Sequence, residues 1–141
     1  MNRLRAPELA DWTLAHGRAS LTGAEVAEFL DVPEDQVRRR LHVPARRNEW
    51  VMPTRGLWIP VPPEYRTWGA PPGIEIVDAM MRYRGVGYYV GWLSAAALYG
   101  AGHQAPQVFQ VAVDRQMRDR VVGRTRFVFA QRDIDRVLTM D

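Results

Sequence analysis

Residues 21–47 of the chain read LTGAEVAEFLDVPEDQVRRRLHVPARR, which is the pattern of two short helices joined by a tight turn. Thr22 is a good N-cap, and Glu25, three residues later, completes the pattern of a capping box. The apolar residues that follow recur at helical spacing and predict one buried stripe. That stripe consists of Val26, Phe29 and Leu30. The sequence therefore predicts a helix that begins directly after Thr22.

A second helix is predicted after the sequence Asp31-Val32-Pro33. Pro33 disfavours helical geometry at Val32 and so ends the first helix. Pro33 is also well suited to be the first residue of the second helix, where a missing N–H costs nothing. Val37 and Leu41 are four residues apart and are expected to face inward. Two helices joined in this way, the second ending in an arginine cluster, are typical of a helix-turn-helix.

The second helix supplies the candidate DNA contacts. In a helix-turn-helix, the N-terminal half of the second helix lies nearest the base edges of the major groove. Gln36 and Arg39 are therefore predicted to read bases, because Gln suits adenine and Arg suits guanine. Arg38, Arg40 and His42 are predicted to contact phosphates instead. An alternative stays open at this point, since three adjacent arginines can also form the solvated face of an ordinary helical hairpin.

A β-hairpin is predicted directly after these helices. Two short apolar runs, residues 50–52 and 57–59, flank Thr54-Arg55-Gly56, which has the chemistry of a hairpin turn. A hairpin in this position is a wing, and its tip places Arg55 within reach of a phosphate or the minor groove. With a first helix over residues 6–16, the sequence predicts a winged helix-turn-helix over residues 1–62.

The distribution of charge supports a polyanionic partner. The formal net charge is only +3, and every basic residue apart from histidine is an arginine. Residues 37–60 hold six arginines against one carboxylate, whereas residues 1–36 hold three arginines against seven carboxylates. One basic side is the expected footprint of nucleic-acid binding, and such binding weakens steeply with salt. Besides the arginines named above, this basic segment contains Arg46 and Arg47, which complete the predicted DNA-binding set.

Composition excludes several other classes. The chain has 141 residues, 47% of them hydrophobic and 25% charged, which is typical of a globular protein. It contains no cysteine, which excludes disulfides and thiolate metal sites. No stretch is long and apolar enough to span a membrane, and residues 1–5 lack the apolar core of a secretory signal. We expect a soluble cytoplasmic protein that has no cofactor.

The second half of the chain predicts a mixed α/β domain. Proline and glycine are frequent in residues 60–73 and predict a linker, assigned to residues 63–73, before a domain over residues 74–141. In that domain we expect a helix over residues 74–83, whose buried stripe contains Ile74, Val77, Met80 and Met81. A strand over residues 88–92 and a helix capped by Ser94 should follow. Strands over residues 108–113 and 124–130 complete an α+β protein.

Residues 88–102 read YYVGWLSAAALYGAG and resemble the signature of the AbiEi-type antitoxins, in which paired tyrosines precede a Ser-Ala-containing helix that ends in glycine. Residues 55–60, which read RGLWIP, are similar to the wing strand of that family. Residues 107–113 and 126–129 are similar to its following strands. The resemblance covers nearly the whole chain, although the family's histidine before the Ser-Ala helix is replaced here by Gly91-Trp92.

The resemblance implies a winged helix-turn-helix followed by an antitoxin domain. It further implies a nucleotidyltransferase-like toxin as partner, and repression of the chain's own toxin–antitoxin operon through binding to double-stranded operator DNA. The chain is shorter than a full two-domain member, so we expect an incomplete antitoxin domain. Winged modules often bind inverted repeats as dimers, and a homodimer on DNA is compatible with the sequence, which identifies no dimer interface.

Enzyme chemistry is not favoured by the residues. The three histidines lie far apart in the sequence, and the absence of lysine excludes a P-loop. Ser94, His103 and Asp114 are the residue types of a hydrolytic triad, but the glycine pattern of a nucleophile elbow is missing. Three hypotheses remain: a DNA-binding repressor, a module that neutralises a toxin and uses the helix-turn-helix as a scaffold, and a nuclease with its catalytic part elsewhere. We expect the first and no enzymatic activity.

Overall fold

A computed structural model describes residues 3–90 and 107–132 of the chain. It contains helices and two small β-sheets, so the α+β class predicted from the sequence is confirmed. The chain divides into two compact units, Met1–Ala79 and Met80–Asp141. The predicted helix at Ser94 and the end of the chain beyond residue 132 lie outside the described residues.

The first unit begins with helix α1, Ala6–Ala15. Leu9, Ala10 and Thr13 form its buried face, and the Thr13 hydroxyl donates a 2.7 Å hydrogen bond to the Leu9 carbonyl. The helix ends at His16, and Gly17 follows with a φ of +70°, a conformation that glycine adopts without strain. The predicted helix over residues 6–16 therefore forms within one residue of its expected end.

Strand β1, Leu21–Thr22, leads into helix α2, Gly23–Leu30. The Glu25 N–H donates to Thr22 Oγ1 at 3.1 Å, and the Thr22 N–H donates to Glu25 Oε1 at 2.9 Å. This is the capping box predicted from the sequence, and it satisfies two backbone donors that a helix start leaves unpaired. The helix ends at Asp31, which adopts a left-handed conformation with a φ of 56°.

Replacing Thr22 with alanine should lower the free energy of unfolding by ~0.5–2 kcal/mol, because the Glu25 N–H loses its acceptor. Chemical denaturation at neutral pH measures this difference. Thr67→Ala is the matched control, since Thr67 is exposed and makes no hydrogen bond within the described residues. Equal stability of Thr22→Ala and the unmutated chain would show that the capping box does not stabilise α2.

Glu25 also makes the stability of this unit depend on pH. Burial by itself would raise the pKa of Glu25, but hydrogen bonds from Arg18 and the Thr22 backbone outweigh it and lower the pKa below the usual 4.5. A carboxyl with a lowered pKa stabilises the fold above pH 4.5, and this stabilisation is lost as the pH falls through the folded-state pKa. Glu25→Gln should therefore be less stable than the unmutated chain at pH 7, and the difference should shrink as the pH falls below 4.5.

Denaturation curves of both proteins from pH 7 to pH 3 would measure this convergence. Glu28→Gln is the control on the same helix, because Glu28 is exposed and makes no ion pair within the described residues. A stability difference between Glu25→Gln and the unmutated chain that does not shrink as the pH falls would contradict the assignment to the Glu25 charge.

The second predicted helix differs from expectation at both ends. Pro33 is extended, with φ −60° and ψ 147°, and precedes a 3₁₀ turn over Glu34–Gln36 instead of being the first helical residue. Helix α3, Val37–Arg40, and helix α4, His42–Arg46, follow. The break at Leu41 has a cause in Pro44, which has no N–H for the Arg40 carbonyl and whose ring crowds that carbonyl. The helical segment therefore continues to Arg46, beyond the end expected near His42.

Strands β2, Trp50–Thr54, and β3, Leu57–Pro60, form the predicted hairpin. The three strands of this sheet are antiparallel in the order β1-β3-β2, and the β2–β3 register shifts between Val51 and Thr54. The turn is Arg55-Gly56, where Gly56 has a φ of +85°. A 2.8 Å hydrogen bond from the Gly23 N–H to the Gly56 carbonyl ties the hairpin turn to the start of α2.

One hydrophobic cluster holds these elements together, since α1, β1, α2, α3, β2 and β3 each contribute to it. Trp50 and Trp58 meet edge to face within it, with ring centroids 6.4 Å apart. Such aromatic pairs stabilise a core beyond the area that they bury. The buried members of the cluster are Leu9, Ala10, Leu21, Val26, Ala27, Leu30, Val37, Leu41, Trp50 and Trp58.

The segment predicted as a linker is instead bound to the first unit. Val61 is fully buried, and its N–H donates to the Glu49 carbonyl at 2.9 Å. Arg66 donates to the Val61 carbonyl and pairs with Asp11 of α1 at 3.0 Å, while the Asn48 side chain donates to the Arg66 carbonyl. These bonds tie residues 61–66 to the first unit, which extends to Ala79.

Helix α5, Gly73–Arg84, spans that division, and strands β4, Tyr88–Val90, β5, Gln107–Val113, β6, Arg120–Val122, and β7, Thr125–Gln131, belong to the second unit. Their sheet has the order β4-β5-β7-β6, in which β5 and β7 are parallel and the other pairs antiparallel. Ile74, expected in the buried stripe of α5, is 46% exposed, whereas Ile76 is buried. Ile76, Val77, Met80 and Met81 are buried along one face of α5, whereas Ile74 lies at the edge of that face in the first turn of the helix.

Candidate nucleic-acid interface

Three consecutive arginines lie on the outer side of α3. Val37 and Leu41 are 2% and 0% exposed, so they fix one face of the helical segment to the core. Arg38, Arg39 and Arg40 are all exposed. At 100° per residue, Arg39 lies opposite the buried face, and its two neighbours lie on the flanks. The sequence prediction of an outward arginine face is confirmed.

Gln36 stands directly before α3 and differs from the other candidates. It is half-buried, and its side-chain oxygen accepts a 3.5 Å hydrogen bond from Nη2 of Arg40. That bond is long and exposed, so it is weak and can be exchanged for a ligand. Gln36 and Arg40 thus lie on one side of the helical segment, one turn apart.

Helix α4 extends the basic surface beyond α3. His42, Arg46 and Arg47 are exposed, and Arg46 lies in the last turn of α4. Arg47 caps that helix, and its N–H donates to the carbonyls of Val43 and Pro44. A cation at the carboxyl end of a helix is favoured by the helix dipole, so part of this charge also has a structural role.

Arg55 belongs to a different element, the turn of the β2–β3 hairpin. It is exposed, and its position is fixed through the bond from Gly23 to its neighbour Gly56. The structure therefore places most of the predicted residues in one continuous segment, from Gln36 to Arg47. The remaining residue, Arg55, lies on the hairpin turn.

These arginines are available to an external anion. Within residues 3–90 and 107–132, Arg38, Arg39, Arg46, Arg47 and Arg55 make no ion pair or side-chain hydrogen bond. Other arginines of the same unit are engaged, since Arg18 pairs with Glu25 and Arg66 pairs with Asp11. The unpaired arginines are thus concentrated in the segment that the sequence predicted to contact DNA.

Two further arginines lie beside this segment and were not predicted. Arg3 and Arg5 line an open cleft of about 580 Å³ together with Arg39 and Arg40. Sequence reasoning missed them because they lie more than 30 positions from α3 along the chain. The available signal was their alternation with Leu4, which places both on one side of an extended segment.

The residues weighed for enzyme chemistry have other contacts where they are described. Asp114 accepts hydrogen bonds from Nε of Arg115 and from the Gly87 N–H, and these two bonds hold the pKa of Asp114 below its usual value. It thereby joins two loops of the second unit. His16 stacks on Trp12 at the end of α1. Ser94 and His103 lie outside the described residues.

The described residues show neither a metal site nor a membrane-spanning helix. Residues 3–90 and 107–132 contain no group of three or more His, Cys, Asp or Glu side chains that could hold a metal ion. In the same part of the chain, no helix has the length and apolar character needed to cross a bilayer.

Comparisons of the whole chain with protein-family models, curated proteins and solved structures found no match.

Proposed function

We propose that the first unit is a winged helix-turn-helix that binds duplex DNA, and that the chain is a transcriptional regulator. The order α1, β1, α2, a helical segment formed by α3 and α4, and then the β2–β3 hairpin supports this proposal, because a winged helix-turn-helix has two helical segments followed by a hairpin. In this interpretation α3 with the preceding turn is the recognition helix, and the β2–β3 hairpin is the wing.

One observation carries the proposal. Arg38, Arg39 and Arg40 project from a helix that Val37 and Leu41 anchor in the core, and no carboxylate of the described residues neutralises them. Three adjacent guanidinium groups that lack a carboxylate partner repel one another, and a bound anion relieves that repulsion. A DNA backbone supplies a regular row of phosphates, and binding to it releases counterions.

The role proposed for each residue of this surface follows from the direction of its side chain and from the hydrogen bonds that the side chain can form. Arg39 projects farthest from the core, so it is proposed to reach a guanine, and Gln36 is proposed to contact an adenine. Arg38, Arg40, His42, Arg46 and Arg47 are proposed to hold phosphates beside the groove. Arg55 on the wing is proposed to reach a neighbouring phosphate or the minor groove.

The antitoxin identity rests on the sequence resemblance alone. On that basis the DNA is the operator of the chain's own toxin–antitoxin operon, and the protein partner is a nucleotidyltransferase-like toxin. Most of residues 88–102, which carry the strongest part of the resemblance, lie outside the described residues. The DNA-binding proposal does not depend on them.

A salt-titrated binding assay tests the proposal. The chain is titrated against the duplex upstream of its own gene and against a scrambled duplex of equal length, at several salt concentrations. Selective binding that weakens steeply with salt is expected. Equal affinity for both duplexes, or no binding at low salt, would reject the regulator and leave toxin neutralisation as the function to examine.

Arg55→Ala and Arg47→Ala should weaken binding to every duplex by the same factor. Each is proposed to contact the backbone, so each loss should reduce the slope of log K against log salt by about one unit. The same assay measures this slope on the operator and on the scrambled duplex. A loss confined to the operator would show that the residue reads sequence instead of holding a phosphate.

A further inference from the structure

The N-terminal segment and α3 line a cleft that was not predicted from the sequence. It has a volume of about 580 Å³, and the arginines that line it are Arg3, Arg5, Arg39 and Arg40. Leu30 and Val32 are among its apolar lining residues, and its lining contains no aspartate or glutamate. We call it the arginine cleft.

Both walls of the arginine cleft are held in place. On one side the Leu4 N–H donates to the Phe29 carbonyl at 3.0 Å, which fixes the N-terminal segment to the end of α2. The Arg5 N–H donates to Glu8 at 2.8 Å and completes the start of α1. On the other side, the buried residues of α3 hold Arg39 and Arg40 in position. The backbone positions of the four arginines around the cleft are therefore fixed.

The chemistry of the arginine cleft points to one kind of ligand. Four guanidinium groups around a cleft without carboxylates are unfavourable unless an anion neutralises them. Guanidinium forks match the oxygens of phosphate and bind them in pairs. Ala6 and Pro7 at the start of α1 also line the cleft, but the carboxylate of Glu8 in the first turn offsets the positive end of that helix, so the arginines supply the attraction for an anion.

We propose that the arginine cleft binds a phosphate group, and that on DNA this group is a backbone phosphate beside the groove entered by α3. The choice of DNA as the source rests on the proposed function, in which Arg40 holds a backbone phosphate and Arg39, at the border of the cleft, reaches the neighbouring groove. A free phosphate ester has the same chemistry and would be bound by the same cleft. The N-terminal segment thus becomes a second DNA anchor, separate from the wing.

The first arm of the test uses inorganic phosphate and no DNA. Phosphate is titrated into the full chain, and the arginine Nε–H signals are followed by NMR. Saturable shifts at the cleft arginines are expected, and in the double variant Arg3→Gln/Arg5→Gln the affinity should fall at least tenfold. Arg118→Gln, an exposed arginine of the second unit with no ion pair in the described residues, should bind phosphate as before.

Arg5→Lys keeps the charge and removes the fork, so it should bind phosphate with intermediate affinity. Thermal unfolding of each variant verifies that the exposed substitutions leave the fold intact. Unchanged phosphate affinity in the double variant, or shifts that do not saturate, would overturn the proposal.

The second arm uses duplex DNA and identifies the source of the phosphate. If a backbone phosphate occupies the arginine cleft, the double variant should lower the salt slope by about one to two units on any duplex. An unchanged slope combined with phosphate binding in the first arm would assign the cleft to a free phosphate ester. If the unmutated chain binds no DNA, the proposed function fails, while the first arm still decides whether the cleft holds phosphate.

Discussion

Replacing Leu41 with alanine is expected to lower the free energy of unfolding by ~2–5 kcal/mol, because it deletes a fully buried side chain and leaves a cavity. Leu41 is 0% exposed and lies at the junction of α3 and α4. Chemical denaturation followed by circular dichroism measures the change. DNA binding should fall along with it, since α3 loses one of its two core anchors.

Val43→Ala is the matched control for Leu41→Ala. It removes a branched apolar side chain two positions away, but Val43 is 54% exposed, so stability should change by less than ~0.5 kcal/mol. If both variants were equally stable, the helical segment would not be fixed to the core through Leu41.

Arg39→Ala is expected to weaken binding to the operator by ~1–3 kcal/mol, which is roughly five- to 150-fold, and to relax the preference at one base pair. The reason is that Arg39 projects directly away from the anchored face of α3 and makes no ion pair within the described residues. Gln36→Ala should have an effect of the same kind at a neighbouring base pair. Competition binding with operator variants, changed one base pair at a time, measures both the loss and the position.

Two controls separate base reading from general attraction to DNA. Arg118→Ala removes one charge from the second unit and should leave operator affinity unchanged. Arg39→Lys keeps the charge and loses the two parallel hydrogen bonds, so affinity for the scrambled duplex should survive while selectivity falls. Equal losses for Arg39→Ala on operator and scrambled DNA would place Arg39 on the backbone. That outcome would agree with its place in the arginine cleft.

The parts of the fold that depend on neighbours in the sequence were predictable. The capping box of Thr22 and Glu25 and the turn at Gly56 are encoded within a few residues, and both form as expected. The inward faces of Val37 and Leu41 follow from their spacing of four. The early end of α3 was also encoded, in Pro44, but its effect is visible only once the segment is known to continue past Leu41.

The parts that depend on distant residues were not predictable. Arg66 forms an ion pair with Asp11, which lies 55 positions earlier in the chain. This pair helps to hold the proline-rich segment, which was predicted to be a linker, against the first unit. Strand β1 has two residues, too few for alternation to be visible, and its partner β3 lies far along the chain. For the same reason the parallel pairing of β5 with β7 could not be derived from the pattern of either strand.

One part of the candidate site was predictable from the sequence and another part was not. The exposed arginines of α3 and the hairpin turn were predictable, because local spacing shows which residues cannot be buried. The approach of Arg3 and Arg5 to Arg39 and Arg40 was not, since it depends on the bond between Leu4 and Phe29. Nothing in the sequence of the N-terminal segment indicates that it pairs with the end of α2.

The use of arginine alone on the exposed face of α3 limits how a cell could switch this surface off. A guanidinium group stays charged throughout the physiological pH range, and no lysine is present for side-chain acetylation. Acidification or acetyltransferases would therefore leave these charges unchanged. Release from a polyanion would instead require a competing anion, a protein that covers the helix, or removal of the polypeptide by proteolysis.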